Sequence, residues 1–219
     1  MPWGLKRYQR TRQSHFVTFC CYHRSSFLTT DASRRTFEAG LERVRRSYRL
    51  YVYGYVVMPD HVHLLLSEPD CPTQAKTGLE WATHGLPDWL DKTQHYTLAD
   101  ALKSLKQGVS RRLMGTVPLK PKAGLSGPPQ HFWQKRYYDF NIRNYPQFVE
   151  KLKYIHRNPV RAGLCERPED WEWSSFRHYA TGYEGRVEIE SEWTARKRER
   201  AEGKLCPAVP LPHSSQNEA

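Results

Sequence analysis

Two runs of β-branched and aromatic residues, LYVYGYVV at 50–57 and HVHLLLS at 61–67, are separated only by Met58-Pro59-Asp60. Side chains of this kind favour extended backbone, and Pro and Asp between them favour a tight turn, so the two runs are predicted to form an antiparallel hairpin. The rest of the chain is read outward from it. HFVTFCCYHR, 15–24, has the composition of a preceding strand. A helix is expected over 31–48 with Asp31 as N-cap, because Phe37, Leu41, Val44 and Tyr48 follow at intervals of 4, 3 and 4. Arg34, Arg35, Arg45 and Arg46 fall on its opposite side.

After the hairpin, 68–96 dissolves into Pro, Gly, Thr and Asp and reads as an irregular loop. A second helix is expected over 97–114, with Leu98, Leu102, Leu105, Val109 and Leu113 on one side and Lys103, Lys106, Arg111 and Arg112 elsewhere. A Gly/Pro-rich linker, 115–129, leads to HFWQKRYYDFNIR, 131–143, which contains a fourth strand. A third helix is expected over 146–157, ended by Asn158-Pro159 because proline disfavours helical backbone at the residue before it. The order strand, helix, strand, strand, helix, strand is that of a split βαβ unit: an α+β, ferredoxin-like or RRM-like antiparallel sheet with helices on one face. One domain is expected over 1–182. Residues 183–219, charged and then Pro/Ser-rich, are expected to be a partly disordered tail.

Charge narrows the partner. Thirty-four Lys and Arg against 23 Asp and Glu leave +11, which favours a polyanion because each neutralised phosphate releases counterions. Aromatic residues make up 13% of the chain, many close to Arg or Lys, as suits surfaces on which unpaired bases stack. No run reaches the roughly 18 apolar residues of a spanning helix, so no membrane partner is expected. Five cysteines without a CxxC pair suggest neither a disulfide framework nor a zinc knuckle, and point to a cytoplasmic location.

Two local patterns carry chemistry. His61 and His63 are two apart on a strand and share one face, with Val62, Leu64 and Leu66 on the other. Neutral imidazoles so arranged can hold a divalent cation, although an HxH pair also packs or binds water. In the third helix, Tyr145, Phe148, Leu152 and Ile155 form the apolar stripe. At about 100° per residue Tyr154 lies roughly 140° from the stripe's centre, and Asn158 sits one turn along on its face. From this spacing alone, a surface tyrosine beside a helix-ending Asn before Pro is the better reading. Taken together, His61, His63 and the Asn158 oxygen suit Mg²⁺ or Mn²⁺, which would polarise a phosphate for attack by a tyrosine.

The stretches YGYVVMPDHVHLLL, HFWQKRYYDFNIRN and YIHRNPVRAGLCERPEDWEWSSFRHY resemble the single-tyrosine HUH transposases, specifically their REP-associated branch. The resemblance implies the HUH palm fold, a metal pair His61 and His63, Asn158 as third ligand, and Tyr154 as nucleophile. It implies cleavage of single-stranded DNA near hairpin-forming palindromes, leaving a 5′-phosphotyrosine and a free 3′-hydroxyl, in a bacterial, nucleoid-associated protein. Classical members of the superfamily are dimers that exchange the tyrosine helix, whereas the REP-associated branch includes monomers, so both a homodimer and a monomer stay open. Arg136, Arg143, Lys151 and Arg157 are the candidate DNA contacts. Tyr137 and Tyr138 are rival tyrosines that lack a ligand partner at helical spacing; Trp171 and Trp173 read as packing residues. The competing functions are a non-catalytic binder of single-stranded nucleic acid on an RRM-like sheet, and a metallohydrolase using water.

Overall fold

The computed structural model describes residues 13–68, 96–115 and 131–201. The expected loop and linker, and everything after residue 201, lie largely outside these. Strands β1 (Ser14–Cys20), β2 (Tyr51–Val57), β3 (His61–Ser67) and β4 (Tyr138–Ile142) form one antiparallel sheet in the order β2-β3-β1-β4. With helices α1 (Asp31–Tyr48) and α2 (Leu98–Met114) in the crossovers, this is the ferredoxin-like arrangement. The hairpin turn closes with the Met58 N–H donating to the His61 carbonyl at 2.9 Å.

Strand alternation divides the sheet into two faces. Phe19, paired with Val62, meets Phe37 of α1 with ring centroids 6.1 Å apart, so this face carries α1 and α2. The opposite face holds Thr18, paired with His63, and Gly54, paired with Leu65. On it lies a third helix, α3 (Tyr145–Arg161), which puts Leu152 and Ile155 against Gly54. Ile155 is fully buried, a contribution of about 2 kcal/mol. The bare glycine at 54 makes room for this close approach of helix to strand.

Several boundaries differ from expectation. β1 stops at Cys20, and the chain turns through a 3-10 turn, Tyr22–Arg24, instead of extending to Arg24. The N-cap of α1 is Thr30, which accepts from Ser33 N, and not Asp31. The capping box Thr97/Asp100 starts α2, and Asn144 caps α3 by accepting from Gln147 N. α3 does not end at Asn158-Pro159: it continues to Arg161, with Ala162 N donating to Asn158 O. Proline removes one donor from the ladder, but only in the final turns, where few bonds remain to be broken. Tyr145, expected in the apolar stripe, is 47% exposed.

Charged residues expected on the outside of α1 are also drawn in. Arg34 Nε donates to the Leu28 carbonyl, and its guanidinium lies 4.8 Å and 5.6 Å from the Trp171 and Trp173 rings. Arg45 bridges Glu42 and Glu188. The expected boundary after residue 182 falls inside the folded unit: Val187 and Ile189 are buried, Glu190 N donates to Val52 O, and α5 (Glu192–Ala201) follows. A short helix, α4 (Phe176–Thr181), precedes that segment. Trp173 and Ser175 bond Val57 and Tyr55, so the β2 edge of the sheet is covered and protected from pairing with another chain. Among the described residues no helix is long and apolar enough to cross a membrane.

Candidate active site

His61 and His63 stand on the α3 face of β3, as their spacing predicts, but not on an open surface: His63 is 4% exposed. Each ring is held from behind. His61 Nδ1 donates to Asp60 Oδ1 at 2.5 Å, and His63 Nδ1 lies 2.7 Å from Thr18 Oγ1 across the strand pair. Hydrogen on both Nδ1 atoms, the tautomers that bond Asp60 and Thr18, makes the two Nε2 atoms acceptors that face each other at 3.1 Å. Two opposed lone pairs at this distance need a cation or a proton between them.

Burial, reinforced by the neighbouring His61 and Arg24 charges, pushes the His63 pKa down to about 3, so this ring stays neutral at physiological pH and retains its lone pair. Partial burial opposes the Asp60 charge, yet the bonds from His61 and Arg24 hold its carboxyl below the ordinary range. The carboxylate behind His61 therefore remains ionised and fixes the ring's tautomer and direction.

α3 supplies the other half. Because the helix runs through residue 158, Asn158 stays in helical register with Tyr154, one turn away. The Asn158 amide nitrogen is 3.0 Å from His63 Nε2, a contact spanning 95 positions of sequence. A half-turn of that amide presents its oxygen instead. The Tyr154 ring meets the His63 ring edge-on with centroids 5.2 Å apart, meets Phe16 at 5.8 Å, and is 37% exposed. Tyrosine, amide and both imidazoles thus converge within a single chain.

The donor set suits a divalent cation. Right-angled ligands at the roughly 2.1 Å typical of Mg²⁺ lie about 3 Å apart, and the imidazole nitrogens stand at 3.1 Å. Among the described residues no group of three or more His, Cys, Asp or Glu could hold a metal. A cation here would therefore have only two imidazoles and the amide from the protein, leaving coordination positions for water or a phosphate.

The candidate DNA contacts divide. Lys151, paired with Glu150, extends over Phe140 and Phe16 at 5.0 and 5.7 Å, on the Tyr154 side of the sheet. Arg136, Arg143 and Arg157 are exposed and are not drawn into this cluster. Tyr138, 46% exposed, pairs with Thr18 and lies edge-on to Phe16, so the rival tyrosine is an aromatic on the site's own face. Tyr137 packs against the core, and Trp171 and Trp173 are buried. Sequence reasoning missed Asp60, absorbed there into the turn, and Thr18, whose role exists only through strand pairing.

The family model described as Transposase IS200 like matches residues 9–75, a span that includes both histidines and stops short of Tyr154. A Haemophilus influenzae protein assigned as a REP-associated tyrosine transposase is 24% identical over 74% of this chain and 78% of its own length. The REP-associated tyrosine transposase of Escherichia coli is 22% identical over 70% of this chain and 69% of its own. The fold is shared with a solved REP-associated tyrosine transposase bound to a REP hairpin, at TM-score 0.55 and 21% identity, covering 85% of this chain and 90% of that one.

Proposed function

This chain is a relative of the REP-associated tyrosine transposases, and from that premise we propose that it is a metal-assisted single-strand DNA endonuclease and strand transferase working through Tyr154. The observation that carries this reading is the meeting of Tyr154 and Asn158, from one helix, with His61 and His63, from one strand. A ring-stacking role alone leaves the facing imidazole nitrogens without a purpose.

His61 Nε2, His63 Nε2 and the Asn158 amide oxygen would hold Mg²⁺ or Mn²⁺. When bound, the cation supplies positive charge to a non-bridging oxygen of the scissile phosphate. Asp60 and Thr18 keep the imidazoles aimed, and Tyr154 is held beside them by Phe16 and His63. The Tyr154 oxygen attacks phosphorus, forming an O–P bond to the 5′ side. The P–O bond to the 3′ oxygen breaks, and the phenol proton passes through solvent to that leaving oxygen. Attack by a 3′-hydroxyl reverses the sequence, so strands rejoin without ATP. One chain brings its own tyrosine to its own histidines, which supports cleavage in cis.

The substrate is single-stranded DNA beside a hairpin-forming palindrome, in keeping with the REP hairpin bound by the solved relative. Lys151 is the DNA contact nearest the reacting groups. Arg136, Arg143 and Arg157 would hold flanking phosphates, and Tyr138 offers a face for base stacking. The DNA concerned is the bacterial nucleoid, reached from the cytoplasm.

The test is a denaturing gel of the protein and its Tyr154→Phe variant with labelled hairpin DNA from the gene's own flanks, with Mn²⁺ or EDTA. A metal-dependent, SDS-resistant protein–DNA adduct that disappears in the variant is expected. Cleavage that persists in the variant would instead indicate a metallohydrolase. Binding without cleavage would leave a passive single-strand binder on an RRM-like sheet.

A further inference from the structure

Arg24 takes no part in the reaction as written above, yet the chain holds it in an unusual way. His23 and Arg24 are consecutive non-glycine residues with positive φ, 51° and 57°. L side chains seldom adopt this conformation, and two in succession are rarer still. The surrounding backbone fixes the turn: Cys21 N donates to Asp60 O at 2.7 Å, Tyr22 N to Phe132 O at 2.8 Å, and Ser25 N to Tyr22 O at 3.0 Å. Glycine would relieve the strain at position 24, and an arginine is there instead.

The turn carries the Arg24 guanidinium onto the active site. Nη1 lies 3.2 Å from Asp60 Oδ2, while the other oxygen of the same carboxylate receives His61 Nδ1. With the Arg24 side chain 62% exposed, such a pair contributes little to stability, so the pair does not account for the strained backbone. Tyr154 lies within the electrostatic reach of Arg24. A guanidinium has five N–H donors in a planar fork that matches phosphate geometry, and one Nη1 bond to Asp60 leaves most of the fork for another acceptor.

We propose that Arg24 is a substrate-binding residue of this site, donating to a non-bridging oxygen of the scissile phosphate and resting on Asp60 when DNA is absent. This inference rests on the strand-transfer reading above. Binding the phosphate beside Tyr154 and the histidines, Arg24 orients it for in-line attack and balances the charge that grows on its oxygens. The left-handed turn is what brings the arginine to that position.

The experiment compares Arg24→Gln, Arg24→Lys and Arg24→Gly. Single-turnover adduct formation is measured on flank-derived hairpin DNA with Mn²⁺. Hairpin binding against salt is measured in a Tyr154→Phe background, where no chemistry occurs. Arg24→Gln and Arg24→Gly should form adduct at least about 30-fold more slowly and Arg24→Lys at an intermediate rate. The slope of log affinity against log salt should fall in magnitude by about 0.7, the value of one single-strand phosphate contact. Arg24→Gly should melt no lower than the wild type, because glycine removes the backbone strain. Adduct rates within about threefold of wild type, or an unchanged salt slope, overturn the proposal. A common loss of melting temperature in all three variants would do so too, by making Arg24 a structural clamp on Asp60. If the wild type itself forms no adduct, the strand-transfer reading falls, and the salt slope alone then decides whether Arg24 contacts phosphate.

Discussion

Gly54→Ala tests whether the tyrosine helix owes its position to a missing side chain. A Cβ at position 54 would lie 2.6 Å from Leu152 Cδ1, 3.4 Å from Ser175 Oγ and 3.8 Å from Ile155 Cδ1. Carbon atoms prefer roughly 3.5–4.0 Å, so the added methyl overlaps Leu152 by about 1 Å. Replacing a strand glycine with alanine would otherwise gain about 0.5–1 kcal/mol from lost unfolded-state freedom. Overpacking costs typically about 1–3 kcal/mol, which outweighs that gain where Leu152 Cδ1, the end of a half-buried side chain, keeps its place against the strand. A net loss of about 1–2 kcal/mol corresponds to a melting point lower by roughly 2–8 °C in a chain of this size. Leu152 precedes Tyr154 by two residues on α3, so relief by moving the helix also displaces the tyrosine, and a shift of about 1 Å can cost on the order of 100-fold in rate. The assay is urea unfolding and adduct formation for Gly54→Ala, Leu152→Ala and the double variant. In the double variant the overlapping methyl is gone, so the combined loss should be smaller than the sum of the two single losses by about 1 kcal/mol or more. Additivity within about 0.5 kcal/mol, or a Gly54→Ala variant as stable as the wild type, refutes the packing argument.

Asp60 and His156 give two further expected outcomes. Asp60→Asn leaves His61 without its carboxylate, and Mn²⁺ affinity measured by calorimetry should fall about 10- to 100-fold with the fold intact; unchanged affinity would mean that Asp60 does not prepare His61 as a ligand. His156 is buried, with Nε2 2.9 Å from Ser175 Oγ, and burial pushes its pKa down to about 4. Its stabilising effect is therefore complete above the unfolded-state pKa near 6.5 and is lost as pH falls toward 4, amounting to about 2 kcal/mol by pH 5. Urea midpoints at pH 7 and pH 5 should accordingly differ less in His156→Gln than in the wild type, and an equal pH dependence would rule out a buried neutral His156.

The sheet and the histidine pair were legible because both depend on a repeat of two, which survives in a single strand: Val62, Leu64 and Leu66 face one way and the imidazoles the other. Tyr154 and Asn158 were legible because helical spacing is equally local. The end of α3 was misread because the residue-before-proline rule describes average backbone, and here Asn158 remains helical. Arg34 was assigned to an outer face because the rings that receive its charge, Trp171 and Trp173, lie far along the chain. Val187 and Ile189 were hidden in EGRVEIE, where charged neighbours mask a two-residue alternation that only the covered sheet edge explains. Asp60 and Thr18 acquire their roles through partners on other strands or in the folded turn, and a list of residue types contains neither relation.

The pairing of Thr18 with His63 and of Phe19 with Val62 makes function a matter of parity. Sliding β3 by one residue against its neighbours would turn every side chain over. Val62 would then face Tyr154, and both imidazoles would be driven between the sheet and α1 and α2. No halfway arrangement offers one histidine to each side, so a mispaired molecule would be wholly inert. In a refolded preparation, the fraction of chains that can be trapped on DNA would therefore count the correctly aligned molecules directly, as an end-point titration does, while far-ultraviolet spectra could look the same for both populations.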